Sequence, residues 1–293
     1  MVLITGGASG IGAATARCLL QRGALPVLID CDARALKRTV SEMGAHVLAV
    51  TADVTQMADC DRAVKEALNA YGRIDVVWAN AGIASFGPLL LTDPAAWKRC
   101  VEVNIFGTFN IVRAALPSVV QQHGYVLATA SVSAFAHPPA VSSYAASKAA
   151  IEAMCNAWRI ELAHHGVAVG TVYPSWVQTG MVTEGDLHPA FRRLRSTMPA
   201  PLRKAIQASE AADMIVSGMK RRDRRIWVPG WVRVLHWLRA ALHTRSAEQS
   251  LLRAAPEMEL LFLETVATSG AEASSFAPRE LVRHAARCGK LLL

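Results

Sequence analysis

Tyr144 and Lys148 stand four residues apart in Tyr144-Ala145-Ala146-Ser147-Lys148, a spacing that puts both side chains on one face of a helix. An ammonium beside a phenol is the basis of acid–base chemistry. A free tyrosine titrates near pH ~10 and a close cation favours its phenolate, but lowering that pKa by ~3 units takes about 4 kcal/mol of differential stabilisation. Tyr-x-x-x-Lys also arises by chance, so its meaning depends on what the chain places around it. A second cluster lies near the N-terminus, in Thr5-Gly6-Gly7-Ala8-Ser9-Gly10-Ile11-Gly12. Small residues between a strand and a helix let the backbone approach a pyrophosphate that the helix N-terminus stabilises. The spacing is G-x-x-x-G-x-G through Gly6, Gly10 and Gly12, a departure from the usual G-x-G-x-x-G. Asp30 follows eighteen residues after Gly12, where a carboxylate can accept from adenosine ribose hydroxyls or cap the next helix.

Such groups need a rigid frame, and the hydrophobic pattern predicts one. Apolar runs at 2–5, 25–30, 46–50, 74–79, 124–130 and 167–173 read as strands, with helices at 10–22, 33–43, 57–71, 95–121 and 143–165 between them. This alternation predicts an α/β fold, a doubly wound parallel sheet in three α/β/α layers. Beyond residue 173 the rhythm changes to a mixed segment at 175–201, a helix near 208–220 and a short strand at 225–228. The expected division is a dinucleotide-binding catalytic domain over 1–229, including a substrate loop at about 175–201, and a helical C-terminal extension over 230–293.

Composition narrows the function classes. The chain has 293 residues, 52% of them hydrophobic, enough to bury a substantial core. Its six cysteines are scattered without a C-x-x-C pair, the pattern of reduced thiols in a cytoplasmic protein and not of a disulfide frame or metal site. Met1 leads straight into the first strand, so no signal peptide is expected, and no apolar run reaches the ~18 residues of a membrane span. The net charge of +8 is concentrated: residues 192–245 hold 13 Lys/Arg against 3 Asp/Glu. That segment could face phosphates or a membrane surface, or be a solvated face, and no nucleic-acid recognition motif accompanies it.

From Val2 to about Val228 the chain resembles the short-chain dehydrogenase/reductase family of nicotinamide enzymes. The shared marks are the glycine loop, Asn80-Ala81-Gly82, Asn104, Ser131 and Tyr144-x-x-x-Lys148. The resemblance implies a Rossmann-type fold and a dinucleotide held by Gly6, Ser9, Gly10, Ile11 and Gly12. It further implies adenosine contacts from Asp30, Asp53 and Val54, with Asn80, Ala81 and Gly82 supporting the sheet. Pro174, Val177 and Thr179 would meet the nicotinamide carboxamide, although Ser175 replaces the family glycine there and puts the local turn in question. Ser131, thirteen residues before Tyr144, has the family spacing for binding the substrate oxygen, and Ser133 is its rival. Tyr144 would transfer the proton and Asn104 would hold a relay water. Lys148 would bind the nicotinamide ribose and lower the Tyr144 pKa, helped by the positive nicotinamide and partial desolvation. The family usually has several residues before the first strand, which leaves open whether the start codon lies upstream of Met1.

The implied activity is that of an NAD-dependent alcohol dehydrogenase or carbonyl reductase. Asp30 followed by Cys31 favours NAD over NADP. Apolar Phe135, Trp176 and Met181, with Phe86, Leu89, Leu187 and Phe191, are the candidate substrate contacts and point to an apolar alcohol or ketone. His137 reads as a loop residue. The alternatives are a non-catalytic dinucleotide sensor, disfavoured by the intact proton path, and a nucleic-acid binder. The family's long helices often pair across a two-fold axis, so a homodimer or homotetramer is expected. Finally, residues 231–242 read as one helix with Trp231, Val234, Leu235, Leu238 and Leu242 on a stripe. That stripe suits either packing on the protein itself or peripheral association with a membrane.

Overall fold

The computed structural model describes residues 1–44 and 47–269. Seven parallel strands form one sheet in the order β3-β2-β1-β4-β5-β6-β7. They are β1 (Val2–Thr5), β2 (Pro26–Asp30), β3 (Leu48–Thr51), β4 (Val76–Ala79), β5 (Tyr125–Thr129), β6 (Ala168–Pro174) and β7 (Arg225–Val228). The order reverses between β1 and β4, which opens a crevice at the strands' C-terminal ends. Strand alternation builds two cores. Leu3, Val27, Val77 and Val126 face one side, whereas Ile4, Leu28, Trp78 and Leu127 face the other. On the first side lie α3 (Met57–Tyr71), α5 (Gly107–Gln121) and α6 (Ser142–Glu161); on the second lie α1 (Gly10–Gln21) and α10 (Ala208–Arg221). The strand expected over 46–50 is β3, and His46 lies outside the described residues.

Helix ends follow from local chemistry. In α2 (Ala33–Met43), the Asp32 side chain accepts from the Arg34 and Ala35 backbone N–H groups, satisfying donors the helix leaves orphaned. The helix expected over 95–121 is interrupted. It comprises α4 (Pro94–Val101), a π turn over Glu102–Phe106, and α5. Asn104 causes the irregularity: its side chain is drawn out of the helix to pair with Ile83 and Ser147. By length and composition Pro94–Gln121 is apolar enough to cross a membrane, but half of its apolar window is buried inside the fold. The segment is no continuous apolar run, being interrupted by Lys98, Arg99, Glu102 and Arg113, and its half-buried window is that of a helix packed on the sheet.

The mixed segment after β6 forms three short helices, α7 (Gly180–Leu187), α8 (Pro189–Ser196) and α9 (Ala200–Arg203). Ser175 fits its turn without a left-handed backbone, and its N–H donates to the Val228 carbonyl at 2.7 Å. The single helix expected over 231–242 is not formed. Instead α11 covers Val232–Trp237 and a short 3-10 turn covers Ala241–His243. Contacts to the core redirect the chain. Arg239 Nη1 donates to the buried Glu152 carboxylate at 2.8 Å, and His243 Nε2 lies 3.1 Å from the Phe135 carbonyl. The stripe therefore divides, with Trp231, Leu235 and Leu242 packed on the core and Val234 and Leu238 exposed. The long helix α12 (Arg245–Ser269) packs on α8, burying Ala254, Met258 and Phe262 against Phe86, Phe191 and Leu194.

Candidate active site

A cavity of about 1290 Å³ runs across the C-terminal ends of the strands. It exceeds the roughly 300–1,000 Å³ of a site for one drug-sized ligand, leaving room for a dinucleotide and a second molecule. At one end lie Gly6, Ser9, Gly10 and Ile11, with Asp30, Asp53 and Val54 beyond them. Gly10 has φ +53°, and a Cβ there would come within 3.2 Å of the Thr179 methyl. Ser9 makes no side-chain cap on α1, so the first-turn N–H groups of that helix remain available to an anion. Gly12 sits behind this wall and does not line it. A Cβ on Gly12 would be 2.2 Å from the Gly6 carbonyl oxygen, so its role is close packing of the loop on the helix.

Asp30 fastens the same loop. Its carboxylate accepts from the Ala8 N–H at 3.0 Å and the Asp32 N–H at 3.1 Å. Burial raises its pKa, and these backbone bonds oppose the rise. Burial also pushes Asp53 up, but hydrogen bonds from Thr55 and Arg99 bring it below the usual carboxylate range. Asn80 ties the loop to the sheet by donating to the Thr5 carbonyl at 3.1 Å, while Ala81 N–H donates to Thr5 Oγ1 at 3.0 Å. Asn80, Ala81 and Gly82 all line the cavity, as do Pro174, Val177 and Thr179.

Ser131, Tyr144 and Lys148 meet at the middle of the cavity. Ser131 Oγ donates to the Pro174 carbonyl at 3.5 Å and accepts from the Ser133 N–H at 3.1 Å, and its nearness to the phenol lowers the Tyr144 pKa. This distinguishes the two serines: Ser131 stands near the phenol, and Ser133 orients Ser131 through its backbone. Lys148 Nζ donates to the Thr129 carbonyl at 2.8 Å and lies 5.5 Å from the Tyr144 ring centroid. Burial pulls the ammonium down to about 8. Burial also pushes the Tyr144 phenol up to about 12, against the lowering effect of Ser131. The expectation that partial desolvation helps to lower this pKa is therefore corrected, because desolvation disfavours the charged phenolate.

Asn104 is fully buried and does not line the cavity. Its Nδ2 donates to Ser147 Oγ at 2.8 Å and to the Ile83 carbonyl at 2.9 Å, and its Oδ1 accepts from the Ile83 N–H at 2.9 Å. A Cβ on Gly82 would lie 3.1 Å from Asn104 Oδ1 and 3.2 Å from Lys148 Nζ. Asn104 thus braces the helix that carries Tyr144 and Lys148 from behind, through Ser147, and its backbone carbonyl accepts from Thr108.

Among the substrate candidates, Trp176, Met181 and Phe191 line the cavity. Phe135 does not. Its ring is buried between Tyr173 and His236, because the turn after β5 points it into the core. Phe86 is likewise core, and Leu89 and Leu187 face solvent. The wall also includes residues the sequence did not single out, namely Arg38, His243, Glu248 and Leu251. His243 stacks on His137 with ring centroids 4.7 Å apart, which brings His137 to the cavity as well.

Known proteins share this sequence pattern and fold. The short chain dehydrogenase family profile matches residues 1–189. The chain belongs to the short-chain dehydrogenase/reductase family. It is 31% identical over 217 residues to an uncharacterized oxidoreductase of Staphylococcus epidermidis, covering 74% of this chain and 89% of the relative. It is 36% identical over 188 residues to the (2S)-[(R)-hydroxy(phenyl)methyl]succinyl-CoA dehydrogenase subunit BbsD of Thauera aromatica, covering 63% of this chain and 75% of the relative. A short chain dehydrogenase/reductase from Burkholderia phymatum, solved in complex with NAD, superposes with a TM-score of 0.72 at 27% identity. That alignment covers 83% of this chain and 95% of the other. This short-chain dehydrogenase/reductase is therefore an oxidoreductase with a nicotinamide dinucleotide cofactor, and the cradle around Gly10 fits that group.

Proposed function

We propose that this oxidoreductase interconverts an apolar primary or secondary alcohol and its carbonyl, with NAD preferred over NADP and Tyr144 as the general acid and base. The observation that carries the reading is the meeting of Ser131, Tyr144 and the buried Lys148 in one cavity. The nicotinamide, when bound, accepts or donates the hydride. Ser131 and Tyr144 bind the reacting oxygen from one side, and Tyr144 Oη takes the hydroxyl proton in oxidation and returns it in reduction. Lys148, held by the Thr129 carbonyl, supplies positive charge that favours the phenolate. With the phenol raised to about 12, Tyr144 is protonated at neutral pH, the form that donates to a carbonyl oxygen. As a base it depends on the Lys148 and nicotinamide charges to offset its burial.

The apolar wall of Trp176, Met181, Phe191, Leu235 and Leu251 supports an apolar substrate. The succinyl-CoA dehydrogenase relative named above takes, by its name, a hydroxy(phenyl)methyl compound, and a phenyl-bearing alcohol is one member of that class. Asp30 at the adenosine end would repel a 2′-phosphate, which supports NAD. Arg38 lines the same cavity and would act the other way. Exposed Phe106, Phe109 and Ile160 on the central helices support a homodimer or homotetramer, which light scattering would detect. A panel of aliphatic and aromatic alcohols, read by absorbance of the reduced cofactor with NAD and NADP in parallel, tests the reading. Turnover of apolar alcohols with NAD is expected; activity confined to sugars or phosphorylated alcohols, or a preference for NADP, contradicts it.

A further inference from the structure

Residues 231–244 form a thin wall with two apolar faces. Inward, Trp231, Leu235 and Leu242 line the cavity. Outward, Val234, Trp237 and Leu238 sit at i, i+3 and i+4 along α11 and its end, a spacing that places them side by side. They are 58%, 73% and 52% exposed. The wall is firmly held, since Arg239 binds the buried Glu152 on α6, His236 packs edge-on against Phe135 and Val232 is wholly buried. The outer face is thus presented by a fixed backbone. A rigidly displayed tryptophan between aliphatic side chains is a feature of surfaces that meet a partner or a membrane interface.

Charge identifies the partner. Residues 220–245 contain eight Lys/Arg and one acidic residue, Asp223, and Asp223 is paired with Arg221. The Arg233 guanidinium lies over the Trp237 ring at 5.0 Å, so cation and indole are offered together. Arg225 and Arg239 both bear on His236, the neighbour of Trp237. Arg222, Arg224, Arg233, Arg239 and Arg245 are exposed. An indole suits the headgroup level of a bilayer, and surrounding arginines are attracted to its anionic phosphates.

We propose that the outer face of this wall, centred on Trp237, docks on an anionic lipid bilayer. Docking places the surface from which an apolar substrate would partition one helix away from the cavity, but binding itself is independent of the substrate assignment. The test therefore uses full-length protein without substrate or cofactor, sedimented with phosphatidylcholine vesicles with or without phosphatidylglycerol over a salt series. Co-sedimentation is expected only with the anionic vesicles and should weaken as salt rises. The double change Trp237→Ser with Leu238→Ser should lower the bound fraction about tenfold, and Arg233→Gln should weaken binding at low salt only. Thermal melting of each variant confirms that it is folded. Wild-type protein left in the supernatant with anionic lipid in excess overturns the proposal, as does unaltered binding by the double variant. If that variant instead changes particle size by light scattering, the face joins copies of the chain and the proposal also fails.

Discussion

Arg239→Ala and Glu152→Gln remove opposite ends of one ion pair and should not have equal effects. The Arg239 Nη1 to Glu152 Oε1 distance is 2.8 Å, with the Glu152 side chain 9% exposed and the Arg239 side chain 45% exposed. Among the described residues Glu152 Oε2 has no hydrogen-bond partner, and His236 Nε2 stands 3.8 Å from Oε1. Removing arginine therefore strands a buried carboxylate. Breaking buried pairs costs about 3–5 kcal/mol, but partial access for water and the nearby His236 reduce the expected loss to roughly 2–3 kcal/mol. Glu152→Gln removes the buried charge and keeps an acceptor, so about 1 kcal/mol is expected. Adding Glu152→Gln to Arg239→Ala should recover stability, because no carboxylate is then stranded. Urea denaturation measures these differences. Since the pair fastens a wall of the cavity, Arg239→Ala should raise KM for the substrate severalfold and leave cofactor affinity unchanged. A larger loss for Glu152→Gln than for Arg239→Ala would refute the reasoning, as would a change in cofactor affinity without a change in substrate KM.

Three further outcomes are expected. Gly12→Ala puts a methyl 2.2 Å from the Gly6 carbonyl oxygen and should abolish cofactor binding in fluorescence titration, whereas Gly180→Ala, with nothing within 4 Å, should bind normally. His188 is held down to about 4 by burial against an ordinary value of 6.5. The unfolded chain thus binds the extra proton first, stability falls as pH drops from about 6.5 to 4, and up to roughly 3 kcal/mol is lost; His188→Gln should flatten that slope in acid denaturation. Asp30→Ala removes the repulsion of a 2′-phosphate but also the tether to the Ala8 N–H, so kcat/KM should fall with NAD and hold or rise with NADP; equal losses with both cofactors contradict a selective role.

The strands of the parallel sheet and the helix that carries Tyr144 and Lys148 were legible because each rests on local pattern. The buried strands read as apolar runs, and Tyr144, Lys148 and Ser131 lie within eighteen residues of one another. What was not legible depends on contacts between distant segments. Asn104 breaks its helix to reach Ile83 and Ser147, a choice that periodicity cannot express. Phe135 and Trp176 are both apolar loop residues, yet one turns into the core and the other faces the cavity. The stripe over 231–242 divided because Arg239 found Glu152, 87 residues away, and His243 reached the cavity through the carbonyl of Phe135, 108 residues away.

The central claim is that Tyr144 carries the proton. Tyr144→Phe keeps the ring and its packing while removing only the hydroxyl, and general acid–base groups contribute about 10²–10⁴-fold to rate. The decisive measurement is kcat/KM of Tyr144→Phe beside its cofactor dissociation constant, on protein whose melting temperature matches wild type. The account predicts a fall of at least about 10²-fold in kcat/KM with cofactor affinity unchanged; turnover within about tenfold of wild type would contradict it.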